Sequence, residues 1–206
     1  MEFHKNYQKA INHGMNATEF SFDGKKCKVQ FFFDELLKKT YLLKNDNGRI
    51  FFIGNGASAA FSNHMALDWI KNGDVTAYSL SDSALLTALS NDYSYESAMV
   101  EYLKLNHCKS NDLVVTTSSS GNSENIVNAL DYCKKNKIKT LAFSGLKKDN
   151  SSVKLGDFSL YIPLKTYGMV ECIHQIYHHL WLDYFMGIEE WNKETEQNMD
   201  SKNYKL

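Results

Sequence analysis

Two loops and two helix faces of this chain carry residues whose type and spacing could do chemistry. One loop is Gly54-Asn55-Gly56-Ala57-Ser58-Ala59. Its glycines let the backbone approach a ligand closely, and the helix that follows would offer unpaired N–H groups to an anion. The other loop, Thr117-Ser118-Ser119-Ser120-Gly121-Asn122-Ser123, again leads into a helix. Its four serine hydroxyls, with helix N-terminal amides, would make a neutral cradle for a phosphate dianion, which needs many donors and no lysine. Capping a helix accounts for one serine, not for three in a row with a fourth close behind. Read as G-x-G-x-x-A, the first loop also resembles a dinucleotide fingerprint, but that needs an acidic residue closing the second strand. Only Asp82 is near, it arrives late, and a dinucleotide fold has no use for the second cradle, so no nucleotide cofactor is expected.

His64 and Asp68 lie four apart in a helical stretch, hence on one face, where such a pair can do acid–base work or bind a divalent metal. A later helix carries Glu171, His174 and His178 at i, i+3 and i+7, again one face, with His179 pointing elsewhere.

These groups need a scaffold, and hydrophobic periodicity supplies one. Helical patterns at 4–17 and 29–44 precede five short runs rich in β-branched or aromatic residues, at 49–53, 76–80, 113–117, 139–143 and 158–162. Helical patterns at 58–71, 94–105, 123–135 and 170–185 alternate with them, the last with apolar Val170, Ile173, Ile176, Tyr177, Leu180 and Tyr184. This alternation predicts an α/β fold with five parallel strands. In such sheets ligands sit beyond the carboxyl ends of strands, where both loops fall. With one proline, Pro163, and no Gly/Ser-rich spacer, the 206 residues are expected to form a single domain. Its core would span about 49–186, preceded by helices over 4–44 and followed by a polar extension at 187–206.

Composition excludes several classes. Of the residues, 43% are hydrophobic and 23% charged, which rules out disorder as the main state. With 23 Lys plus Arg against 24 Asp plus Glu, there is no basic field to attract nucleic acid. No apolar run approaches the roughly 20 residues needed to span a bilayer, so no membrane association is expected. Four scattered cysteines, Cys27, Cys108, Cys133 and Cys172, without CxxC spacing, suit a reducing compartment, and a cytoplasmic location is expected.

The chain resembles the sugar isomerase (SIS) domain family, and within it the phosphoheptose isomerases. The resemblance rests on Gly54 to Ala59 with His64, on Asn91-Asp92-Tyr93, on Ser118 to Asn125 and on Glu171 to His178, in family order. It implies a three-layer αβα sandwich and a homo-oligomer, usually a tetramer, with active sites shared between subunits. It also implies that Ser118, Ser119, Ser120 and Ser123 hold the substrate phosphate, while Asn55, Ser58 and Asp92 line the sugar.

Aldose–ketose isomerisation of sedoheptulose 7-phosphate, or a related sugar phosphate, through an enediol is the implied reaction, in heptose synthesis for a lipopolysaccharide or capsule. It needs a base, an acid and stabilisation of oxyanion charge. Asp68 is the expected base and His178 its acid partner, with His64, Asp68 and His178 supporting a divalent metal, zinc by resemblance. Three positions depart from the family pattern: Asp68 stands for a glutamate, Val170 for a glutamine ligand, and Gly168 for an arginine. Asp68 and Val170 favour the alternative, a non-catalytic SIS module binding a sugar phosphate or a protein partner, whereas Gly168 points to a different sugar.

Overall fold

The computed structural model describes residues 2–192. The order is α1 (Phe3–Asn16), β1 (Glu19–Phe22), β2 (Lys25–Cys27), α2 (Val29–Asn45), β3 (Ile50–Gly54), α3 (Ala57–Lys71) and β4 (Ala77–Ser79). Then come α4 (Ser83–Asp92), α5 (Ala98–Leu105), β5 (Leu113–Ser118), α6 (Glu124–Lys135), β6 (Lys139–Gly145), α7 (Ser151–Leu155), β7 (Phe158–Ile162) and α8 (Tyr167–Met186). Of the expected extension at 187–206, residues 193–206 lie outside the described residues. No helix among the described residues is long and apolar enough to cross a membrane.

The sheet has seven strands, not five, in the order β2-β1-β7-β6-β5-β3-β4. The five expected strands are present and mutually parallel. The two additional strands form an antiparallel hairpin on the β7 edge, with Phe22 opposite Lys25 across an Asp23-Gly24 turn. Both turn residues have positive φ, 46° and 74°, as a two-residue hairpin loop twisted to match its strands requires.

Successive residues of the central strands face opposite cores, which is why those strands read as unbroken apolar runs. Ile50, Phe52, Leu113, Val115, Leu141 and Phe143 pack with α2, α3 and α8, whereas Phe51, Ile53, Val114 and Ala142 pack with α5 and α6. Across the first core the indoles of Trp69 and Trp181 lie 4.4 Å apart, and Trp181 Nε1 donates to Thr40 Oγ1 at 3.0 Å. Helices on both faces of a largely parallel sheet make the expected three layers.

At the amino ends of β3 and β5, a buried carboxylate ties the chain together. Asp112 accepts from Arg49 through the backbone N, Nε and Nη2 at 2.8, 3.2 and 2.7 Å, and from Lys109 N at 2.9 Å. Arg49 also donates to the carbonyls of Asn106 and His107. Removing one partner of such a pair strands the other, at a cost of about 3–5 kcal/mol. Asp112→Ala is therefore expected to lower the melting temperature by roughly 10 °C. Thermal denaturation checks this, and an unchanged midpoint would refute it.

Candidate functional site

The chain leaves β3 for β4 on one side, then returns to lay β5 on the other, so the strand order reverses between β3 and β5. Such a switch point opens a crevice at the carboxyl ends of the two strands. A cavity of about 310 Å³ lies there, lined by Asn55 to Ser58, Thr117 to Ser120, Ser123, Tyr167 and Glu171. The two loops picked out in the sequence thus meet in one place, with Asn55, Ser58 and all four expected phosphate serines on the wall.

The glycines have specific work here. A Cβ on Gly54 would lie 2.7 Å from the Ser58 carbonyl carbon, so only glycine lets α3 start this close to its strand. Gly121 has φ +63°, and a Cβ there would collide with the Asn150 amide. The loops are also joined to each other. Asn55 Nδ2 donates to Asn125 Oδ1 at 2.9 Å and Asn125 Nδ2 returns a bond to Asn55 Oδ1 at 2.8 Å, while Tyr95 Oη donates to the same Asn55 oxygen. The Asn55 side chain therefore holds the cradle's shape.

Three helices, α3, α6 and α8, begin at this cavity, and at none of the three does the N-cap residue, Gly56, Ser123 or Thr166, bond its own side chain to the helix. The positive ends of their dipoles are turned on the cavity, an arrangement that suits an anion. No lysine or arginine among the described residues lines the cavity. Ser119 is buried, and its Oγ is without a hydrogen-bond partner among the described residues. A buried hydroxyl without a partner is costly unless a ligand completes it.

The other expected site residues are distributed differently. His178 is fully buried, its ring stacked 3.9 Å from that of Phe143, with Nε2 2.9 Å from Thr117 Oγ1. It stands behind the cavity wall, not on it, and does not join His64 and Asp68. His179 takes that place, correcting the expectation that it points away. His64 Nε2 is 3.2 Å from Asp68 Oδ2, His179 Nδ1 is 4.0 Å from the same oxygen, and the three donor groups lie within 4.8 Å of one another. Asp68 sits ten residues beyond Ser58 on α3, about 15 Å along the helix, so it is remote from the cavity of its own subunit. Asp92 is exposed at the end of α4 and accepts from Asn91 Nδ2; it does not line the cavity. Asp82, the one acid near a second strand end, caps α4 by accepting from Leu85 N. Val170 is core, packed near Gly145.

Residues 40–145 match the family model described as SIS domain. The chain belongs to the SIS domain family. Among curated SIS proteins, it is 32% identical over 145 residues to the phosphoheptose isomerase of Helicobacter pylori strain Shi470, covering 67% of this chain and 74% of that one. It is 30% identical over 136 residues to that of Thermodesulfovibrio yellowstonii, covering 63% and 67%. Among solved SIS structures, the phosphoheptose isomerase of Neisseria gonorrhoeae superposes with a TM-score of 0.75 at 20% identity, covering 89% of this chain and 95% of that one.

His174 is the glutamate's neighbour in this SIS chain that sequence reasoning left without a role. Fully buried, it donates from Nε2 to the Ser144 carbonyl oxygen at 3.2 Å, and its Nδ1 is unpartnered among the described residues. Burial pushes it down to about 4, and burial with the neighbouring His174 and His179 pushes His178 well below the usual histidine range. The unfolded chain would protonate His174 near its ordinary 6.5. The stability contributed by keeping it neutral is full above that pH and is lost as pH falls towards about 4. The loss amounts to roughly 1.4 kcal/mol per pH unit. Melting temperatures measured between pH 7 and pH 4.5 should fall more steeply for the natural chain than for His174→Gln, whose side chain does not titrate; parallel curves would refute this.

Proposed function

We propose that this SIS protein is a phosphosugar isomerase that interconverts a ketose phosphate and an aldose phosphate, with sedoheptulose 7-phosphate as substrate. The observation that carries the reading is the cradle at the switch point, with its serine hydroxyls and three helix N-termini turned on one cavity. The phosphoheptose isomerase relatives supply the reaction class. A cavity of about 310 Å³ suits a small sugar phosphate, lying at the lower end of ligand sites. In this reading Ser118, Ser119, Ser120 and Ser123 bind the phosphate, fixing the far end of the sugar so that its carbonyl end meets the remaining wall. Binding energy gained at the non-reacting phosphate orients the reacting carbons.

The proposed assembly is a homo-oligomer, a tetramer by resemblance. It is supported by an apolar groove of about 1040 Å³ between α2 and α8, lined by Val29, Phe33, Ile176, Leu180, Tyr184 and Trp191. Heptose supply for a surface polysaccharide, in the cytoplasm, is the proposed setting.

His64, Asp68 and His179 suit a divalent ion such as zinc. Two imidazoles and a carboxylate are a common three-residue set that leaves a fourth position open, and their donor atoms already converge. In the proposed oligomer, a bound ion would supply Lewis-acid stabilisation of oxygen charge on a sugar presented by a neighbouring subunit. Its test needs no turnover: zinc should raise the melting temperature of the natural chain but not of His179→Ala. An equal shift in both would remove His179 from the set.

The function is tested by incubating the purified protein with sedoheptulose 7-phosphate, with and without zinc, and following aldoheptose 7-phosphate by NMR. Product is expected, and Ser119→Ala should raise KM by about 10- to 100-fold with a smaller change in kcat, as loss of a bond to a charged phosphate predicts. Thermal stabilisation by the same compound without product would overturn the isomerase in favour of a binding module.

A further inference from the structure

Asn55 stands on the wall of the switch-point cavity, and its side-chain amide is where three segments of the chain meet. We propose that Tyr95 is a positioning residue of this site. Its hydroxyl completes the bonding of Asn55 Oδ1, so that Asn55 has only an N–H to offer a ligand and selects a sugar oxygen that accepts it. The inference rests on the reading above that the cavity takes a sugar phosphate.

The network itself fixes which amide atom is which. The backbone N of Ile126 can only donate, and it lies 3.0 Å from Asn125 Oδ1, so that atom is the amide oxygen. Asn125 Nδ2 therefore donates to Asn55 Oδ1 at 2.8 Å, and Asn55 Nδ2 returns a bond to Asn125 Oδ1 at 2.9 Å. Tyr95 Oη, 2.8 Å from Asn55 Oδ1, is then the donor of that contact. An amide oxygen has two lone pairs, and both are taken here. One N–H of Asn55 is paired with Asn125, and the other has no partner among the described residues. Without the Tyr95 bond, Asn55 Oδ1 would keep an open lone pair and accept equally well from a sugar hydroxyl. With it, the group is a donor alone.

Tyr95 is held in place for this bond. It lies in the turn between α4 and α5, where Ser94 Oγ accepts from Ser97 N at 3.2 Å. Asn128 Nδ2 on α6 donates to the Glu96 carbonyl oxygen at 3.0 Å, which ties the turn to the helix whose first turn carries Asn125. Burial does not account for the tyrosine: it is 46% exposed, joins neither hydrophobic core, and pairs with no other ring among the described residues. Ordering an exposed side chain costs rotamer freedom, and the bond to Asn55 is the interaction that offsets it. That bond also leaves the Asn55–Asn125 pair and the serine loop untouched, so the hydroxyl bears on the sugar side of the cavity and not on the phosphate cradle.

The test uses the full-length natural chain, Tyr95→Phe, Asn55→Ala and the double variant, with two probes, sedoheptulose 7-phosphate and inorganic phosphate. Apparent affinities are read from melting temperature against ligand concentration. Tyr95→Phe, which removes one oxygen and keeps the ring, should weaken binding of the sugar phosphate by about 3- to 10-fold and leave that of inorganic phosphate unchanged. In the Asn55→Ala background the same substitution should have no further effect, because Tyr95 acts through Asn55. Should Asn55→Ala fail to fold, the comparison of the two probes in Tyr95→Phe decides alone. An equal loss for both probes would make Tyr95 a support of the fold and overturn the proposal. Unchanged affinity for the sugar phosphate in Tyr95→Phe, or a full further loss in the Asn55→Ala background, would overturn it and leave the sugar-phosphate reading intact. A natural chain stabilised by inorganic phosphate but not by sedoheptulose 7-phosphate would overturn that reading, and the role of Tyr95 with it.

Discussion

A phosphate dianion moved from water into a site without cations loses hydration that no single hydrogen bond replaces, so many donors must already point at one spot before it arrives. If the cavity takes a phosphate as proposed, that requirement accounts for the architecture around the β3–β5 switch point. A parallel sheet starts its helices from the same edge, and only there can the uncapped ends of α3, α6 and α8 face one cavity. Glycine at Gly54 and Gly121 brings the backbone close enough, and the reciprocal Asn55–Asn125 amide bonds fix one loop against the other. At the opposite edge, Asp112 and Arg49 pin the strands' amino ends. The cradle is thus rigid because both ends of its two strands are held.

The phase of α8 decides what its polar residues can do. A helix turns 100° per residue, so the adjacent imidazoles of His178 and His179 belong to different surroundings. Val170, Ile173, His174, Tyr177, His178, Trp181, Leu182 and Phe185 form the buried face, and the two histidines there are kept neutral by desolvation. The Thr117 bond of His178 reaches the wall of the cavity from behind, which makes it a support for the serine loop in this structure. Ile176 and His179 face outward towards the groove against α2, and Glu171 faces the cavity.

Much of this was legible in the sequence, for reasons that differ between fold and site. Strands buried on both faces read as dense apolar runs, so five were located within a residue or two at most ends. The β1–β2 hairpin escaped notice because seven strand residues around Asp23-Gly24 carry too little periodicity, although that dipeptide is itself a hairpin signal. Helix α4 was missed for a similar reason, with Leu89 its one buried residue. The phosphate loops were readable because glycine and serine serve there through backbone geometry and local hydroxyls, which sequence order preserves. The His178 position was not, because α8 carries apolar residues on more than one face, and aligning motifs cannot choose between phases 100° apart. The role of Val170 was obscured likewise: it is a core residue under Gly145, and its lack of ligand atoms costs the cavity nothing.

Helix α3 separates two chemistries that the sequence placed together. Its amino end serves the cradle, and His64 and Asp68 lie on its later turns with His179, outside that cavity. Ser58 and Asp68 share one helix and still face different volumes, because ten residues, about 15 Å of helix, separate them. Within one subunit, the roughly 15 Å of helix between Ser58 and Asp68 sets the His64–Asp68–His179 cluster apart from the cradle. His179 also lines the apolar groove between α2 and α8, the surface that supports the proposed homo-oligomer.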